Sequence, residues 1–113
     1  MATTAETTLE TKLGEMVRRI VERFDPERIV LFGSHARGEA TEHSDVDLLV
    51  VLKDVASKRD KAVEIRGALF GLGVAKDVVV VSCEELNKKK DLVGTIVYPA
   101  LREGRLLYER RSA

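Results

Sequence analysis

The sequence predicts a two-layer domain of the α/β or α+β class, about four strands forming a sheet with helices packed against it. Three observations lead there. Short apolar, β-branched runs occur at residues 28–32, 46–52 and 76–81; segments with three- and four-residue apolar spacing alternate with them; and 113 residues suit a single core. Apolar residues make up 44% of the chain and charged residues 34%, with only two prolines, a composition that excludes a disordered chain. Residues 1–113 read as one domain, with 1–6 and 110–113 expected to be flexible.

Over residues 7–24, Leu9, Leu13, Met16, Val17, Ile20, Val21 and Phe24 recur on one helical face, and Lys12, Glu15, Arg18, Arg19, Glu22 and Arg23 fill the other. Thr7 with Glu10 fits a capping box. Asp25-Pro26 ends the helix, because the residue before proline is pushed out of helical conformation. Residues 28–32 read as a buried strand broken by Gly33-Ser34. A short helix over 35–39, a polar loop over 40–44 and a second strand over 45–52 follow. A second amphipathic helix is expected over 59–72, with Ala62, Val63, Ile65, Leu69, Phe70 and Leu72 as its stripe and Gly71 and Gly73 at its end. The valine run at 76–81 is assigned a third, central strand with apolar partners on both faces. Ser82 with Glu85 caps a short helix ending in Lys88-Lys89-Lys90. Residues 92–103 read as helical apart from Pro99, Gly104 caps them, and 105–109 form a last, edge strand.

Lys plus Arg and Asp plus Glu number 19 each, and this zero net charge argues against stable binding of duplex nucleic acid. No apolar run is long enough to span a membrane and no secretory signal is visible, so a cytoplasmic location is expected. A lone Cys83 permits neither an internal disulfide nor a cysteine-based zinc cluster.

The segment between the first two strands carries the chemistry. Gly33-Ser34, placed between a strand and a helix, would aim backbone N–H groups and a hydroxyl at phosphate oxygens; the alternative is an ordinary turn with Ser34 as cap. Asp45 and Asp47, two apart on a strand, point to one face and can share a cation, or are simply a solvated strand end. Asp77 opens the valine strand, where a charge calls for a reason. If that strand lies beside the second, three carboxylates, a Gly-Ser cradle and Arg37 supply the parts of a two-metal phosphoryl or nucleotidyl transfer site. All-oxygen ligands suit Mg²⁺.

Gly33-Ser34-His35-Ala36-Arg37-Gly38 followed by Ser44-Asp45-Val46-Asp47-Leu48 resembles the GSxARG and SDxDL signature of the DNA polymerase beta superfamily. Within it, the chain is similar to the minimal nucleotidyltransferase (MNT) branch, whose members pair with HEPN-domain toxins in prokaryotic toxin–antitoxin modules. The resemblance implies a nucleotidyltransferase fold built on a mixed sheet of about four strands. It implies that Asp45, Asp47 and Asp77 coordinate two Mg²⁺ ions and are catalytic, with Asp77 helping to deprotonate the acceptor. It also implies that Gly33, Ser34, Arg37 and Ser44 bind the nucleotide, ATP. The implied reaction moves AMP from ATP to a tyrosine hydroxyl of the HEPN toxin, releasing pyrophosphate and silencing it. About 60 residues follow the SDxDL motif, too few for a second domain of roughly 100 residues, so a partner is expected to supply the acceptor.

Two other functions fit the same residues: an antitoxin that neutralises by binding alone, and a transferase for small-molecule hydroxyls. His35 and His43 read as exposed polar residues, Cys83 as a small buried one, and Lys88 to Lys90 as a solvated helix end. Tyr98 and Tyr108 read as aromatic packing on the sheet.

Overall fold

The computed structural model describes residues 4–41, 44–90, 92 and 97–111, the side chains of 4–8, 98 and 99 excepted. His43, the capping side chain of Thr7 and the side chain of Tyr98 fall outside these residues. In chain order the elements are α1 (Thr4–Phe24), β1 (Arg28–Phe32), α2 (Ser34–Arg37), β2 (Val46–Leu52), α3 (Lys58–Ala68), β3 (Lys76–Ser82), α4 (Cys83–Lys89), α5 (Val97–Glu103) and β4 (Arg105–Glu109). The four strands form one mixed sheet in the order β3-β2-β1-β4. β1 runs antiparallel to β2 and to β4, and β2 runs parallel to β3.

Period-two alternation sorts the strand residues between two cores. Ile29 and Leu31 of β1, Val46, Leu48, Val50 and Leu52 of β2, and Val78 and Val80 of β3 meet Leu13, Met16 and Ile20 of α1, Ile65 of α3 and Leu69 just beyond it. This sheet-on-helix contact is the expected two-layer core. The intervening residues Val30, Leu49, Val51 and Val81 meet Leu86 of α4 and Val97 and Ala100 of α5, a smaller cluster on the opposite face.

Helix α1 begins at Thr4, three residues before the expected cap, so Thr7 lies inside it. It ends at Phe24 as expected: Asp25 takes a positive φ of 48°, and its N–H still reaches the Val21 carbonyl at 3.2 Å before Pro26 stops the turn. Arg110, expected in a flexible tail, donates its N–H to the Glu27 carbonyl at 2.9 Å and pairs with Asp25 at 3.0 Å.

Three expectations are corrected. First, β3 is an edge strand and not a central one. Its valines are covered on both faces by helices, Val78 and Val80 on one side and Val79 and Val81 on the other, and it is this that makes an edge strand apolar all round. Second, α3 starts at Lys58, capped by Ser57 Oγ accepting from the Asp60 N–H at 3.2 Å, and ends at Ala68, four residues before Leu72. The turn beyond it uses the positive φ of Gly71 and Gly73. Val63 and Phe70, read as part of the apolar stripe, are 61% and 83% exposed, and the helix is held by Ile65 and Ala68 with Leu69 just beyond. Third, Leu92 is not helical and α5 is described over Val97–Glu103, while residues 93–96 of the expected helix lie outside the described residues.

The Ser82 cap is present, its Oγ accepting from the Glu85 N–H at 3.0 Å, while the Glu85 carboxylate goes to Lys58 and Lys89. Gly104 follows α5 with its N–H on the Ala100 carbonyl. A Cβ there would run into that carbonyl and into Val30, so only glycine lets α5 turn onto β1. Among the described residues no helix is long and apolar enough to cross a membrane.

Candidate functional site

The chemistry-bearing residues gather where β1 ends and β2 and β3 begin. The N–H of Val46 donates to the Ala75 carbonyl at 2.9 Å, pinning the starts of the parallel pair, and from there Asp47 faces Asp77 in register. The antiparallel partner of Asp47 on its other side is Phe32, the last residue of β1. Alternation places Asp47 and Asp77 on the same sheet face as Leu49 and Val81, with Val46 and Val78 buried beneath. Two carboxylates therefore stand side by side on adjacent strands.

Gly33, immediately after β1, has a φ of +76°, and a Cβ on it would strike the Asp47 carboxylate. Glycine is thus required twice, for its backbone conformation and for the close approach of the chain to the acid. The Gly33 carbonyl accepts the N–H groups of Ala36 and Arg37 at 3.1 and 3.2 Å, closing the single turn of α2. The leading N–H groups of that turn have no acceptor within it. With four residues, α2 offers oriented donors more than a sizeable dipole.

Asp47 is half-buried, and its carboxyl is pushed above the usual aspartate range, first by burial and then by the like charges of Asp77 and Asp45; His35 and Arg37 oppose the shift. Asp45 is exposed, one residue ahead of β2. Asp77 is exposed too, and its Oδ1 accepts from Arg66 of α3 at 3.2 Å. Arg37, expected beside the phosphates, lies at the end of α2 paired with Glu39 at 2.7 Å and Glu103 at 3.7 Å. Its guanidinium is held above its ordinary pKa chiefly by the Glu39 hydrogen bond. Ser44 closes the loop ahead of β2: its Oγ accepts from the Thr41 N–H at 2.9 Å and its N–H donates to the Thr41 carbonyl at 3.1 Å.

Two contacts were not foreseen. His35, read as an exposed polar residue, is half-buried, and its Nε2–H donates to the Ser44 carbonyl at 3.2 Å, tying the Gly-Ser turn to the loop that delivers the acids. Nine residues separate the pair, and no periodicity announces it. Arg66 is the other; its only sequence signal is its place beside Ile65 on a helix next to β3.

The donor set suits a hard divalent cation. It consists of carboxylate oxygens, and the mutual repulsion felt by Asp47 is what such an ion removes. Among the described residues, however, no three His, Cys, Asp or Glu side chains stand together closely enough to hold an ion. Asp47 and Asp77 are brought together, with Asp77 turned to Arg66 and Asp45 on the exposed approach to β2.

A cavity of about 510 Å³, lined in part by Arg28, Val51, Cys83 and Leu86, lies at the far end of the sheet. Burial pushes the Cys83 thiol up, and the nearby Glu27 and Asp54 carboxylates add to the shift. Lys88 and Lys89 are spent on Glu84 and Glu85 at 2.9 and 2.6 Å, as a solvated helix end would be.

The family described as nucleotidyltransferase domain matches residues 13–102. The chain is 37% identical over 92 residues to the protein adenylyltransferase MntA of Thermococcus cleftensis, a match covering 80% of this chain and 91% of that protein. It is 30% identical over 112 residues to a Methanocaldococcus jannaschii protein, MJ1305, assigned as a protein adenylyltransferase, covering 93% and 75%. Among solved structures, one from Sulfolobus solfataricus assigned as a nucleotidyltransferase superposes with a TM-score of 0.65 at 22% identity, covering 97% of this chain and 91% of that one. A toxin–antitoxin structure with AMP-PNP superposes with a TM-score of 0.53 at 21% identity, covering 86% and 73%.

Proposed function

Since the chain belongs to the nucleotidyltransferase family, matching it over residues 13–102, we propose that it is an Mg²⁺-dependent protein adenylyltransferase. It moves AMP from ATP to a tyrosine hydroxyl of a HEPN-type toxin and so acts as an antitoxin in the cytoplasm. The observation that carries this reading is the pairing of Asp47 with Asp77 in strand register, with the Gly33 backbone seated against the Asp47 carboxylate. A structural edge has little use for two adjacent acids of which one, Asp47, has no cation paired to it among the described residues, and a site that gathers cations around a triphosphate does.

Asp45, Asp47 and Asp77 would hold two Mg²⁺ ions, which when bound neutralise charge developing on the phosphoryl oxygens. The N–H groups of the α2 turn and the Ser34 hydroxyl bind the β- and γ-phosphates, and Gly33 lets them come close. Arg37, exposed at the end of α2, exchanges Glu39 for the triphosphate. Ser44 and His35 keep the loop ahead of the acids in place. The tyrosine oxygen attacks the α-phosphorus, its proton passes to Asp77, and the bond from that phosphorus to the bridging oxygen breaks. Pyrophosphate leaves with the electron pair. The acid edge lies open on the sheet, so the partner brings both the acceptor hydroxyl and the cover that excludes water.

The test is to incubate the protein with its HEPN-type partner, ATP and Mg²⁺ and to weigh the partner. A mass gain of one or more AMP units, lost in Asp45→Asn with Asp47→Asn, is expected. An unchanged mass, with neutralisation surviving both substitutions, overturns the catalytic reading in favour of binding alone.

A further inference from the structure

We propose that Arg66 is a positioning residue, holding Asp77 away from the cation site until a divalent ion and the nucleotide draw the carboxylate off. The proposal rests on the reading of Asp45, Asp47 and Asp77 given above. Arg66 follows the fully buried Ile65 on α3 and precedes the buried Ala68 and Leu69, so the backbone from which its side chain leaves is fixed by core packing. β3 is an edge strand, and its first residues are open to a side chain reaching from that helix. The guanidinium meets Asp77 Oδ1 at 3.2 Å.

Three facts make this contact a competitor of the ion and not a bystander. Asp77 is in register with Asp47 and turns to a cation of the protein itself, which offsets their repulsion. An oxygen shared with a guanidinium is a poorer ligand for a divalent ion, and the two cations repel each other. The side chains of Arg66 and Asp77 are 50% and 55% exposed, so the pair is solvent-screened and gives way to a better-charged competitor. The sequence at Arg66 carries no motif that would mark it for this role.

The experiment measures Mn²⁺ binding to the full chain by electron paramagnetic resonance, with and without a non-hydrolysable ATP analogue. Losing one half-exposed ion pair is expected to lower the Mn²⁺ Kd of Arg66→Gln about two- to fivefold. Arg66→Lys should stay near the original value. Arg59→Gln, which removes an exposed charge from the same helix, separates the ion pair from net charge and should change the Kd less. In an Asp77→Asn background the Arg66→Gln effect should vanish, the signature of a direct coupling. An unchanged or raised Kd in Arg66→Gln, an equal fall in Arg59→Gln, or an effect that persists without Asp77 overturns the proposal while leaving the transferase reading intact. If the unaltered protein takes up no Mn²⁺ with or without the nucleotide, the transferase reading fails and the role of Arg66 with it.

Discussion

Replacing Asp47 by Asn removes one of two carboxylates that face each other across β2 and β3, and the protein without metal should become more stable at neutral pH. With the charges roughly 6 Å apart, as on facing strand residues, their repulsion is about 0.7 kcal/mol in a water-like dielectric and about 3 kcal/mol at an effective dielectric of 20. Asp77 is exposed and partly compensated by Arg66, which puts the net gain near ~1 kcal/mol, or roughly 4 °C in Tm for a domain of this size. The sign of the pH dependence follows from the raised pKa of Asp47. The native state holds the proton more tightly than the unfolded chain. The favourable contribution is therefore complete below the unfolded value, 3.8, and is lost as pH rises through the higher native one. The Tm advantage of Asp47→Asn should accordingly be full at pH 7 and shrink as pH falls toward ~4. Thermal melts in chelator at several pH values measure it, and the same melts with Mg²⁺ reverse the order, because the ion stabilises only the chain that binds it. An Asn variant that melts no higher than the original at pH 7, or that gains as much from Mg²⁺, would show that the two carboxylates neither repel each other nor share an ion.

Other consequences follow from single contacts. Gly33→Ala places a methyl against the Asp47 carboxylate at a φ of +76°; Tm should fall by several degrees and ATP-analogue affinity by at least about tenfold, as calorimetry would report. Gly104→Ala pushes a methyl into the Ala100 carbonyl and Val30, and should cost about 1–3 kcal/mol in urea unfolding with nucleotide affinity unaltered in the folded fraction. His35→Ala breaks the tie to Ser44. It should cost about 1 kcal/mol and raise the KM for ATP more than it lowers kcat, seen in steady-state kinetics.

The strands were legible because β-branched runs ended by glycine and acid have few other homes, and β1, β2 and β4 lie within a residue of their expected bounds. The Asp47–Asp77 neighbourhood could be anticipated for a related reason: each acid interrupts the polar-to-apolar transition at a strand start. What sequence could not supply was the order of strands. An all-valine strand reports that both its faces are covered, and helices on either side of β3 supply that cover at the sheet's edge, so burial does not reveal centrality. The stripe on α3 failed for a different reason. Val63 and Phe70 occupy plausible spacings, but the helix is anchored through Ile65 and Ala68, and its rotation follows from packing on the sheet. Contacts such as Arg66 to Asp77 and His35 to Ser44 join side chains whose chemistry is unremarkable until the fold brings them together.

Transfer at this site requires Asp45, Asp47 and Asp77 to collect cations at the triphosphate. The anomalous scattering of Mn²⁺ in crystals grown with the non-hydrolysable ATP analogue measures this directly. The expected map places Mn²⁺ on the Asp47 and Asp77 carboxylates with Asp45 as a further ligand, phosphates against Gly33 and Ser34, and Arg66 released. Manganese bound elsewhere, or nucleotide seated in the cavity beside Arg28 and Cys83 while Asp77 remains on Arg66, would contradict it.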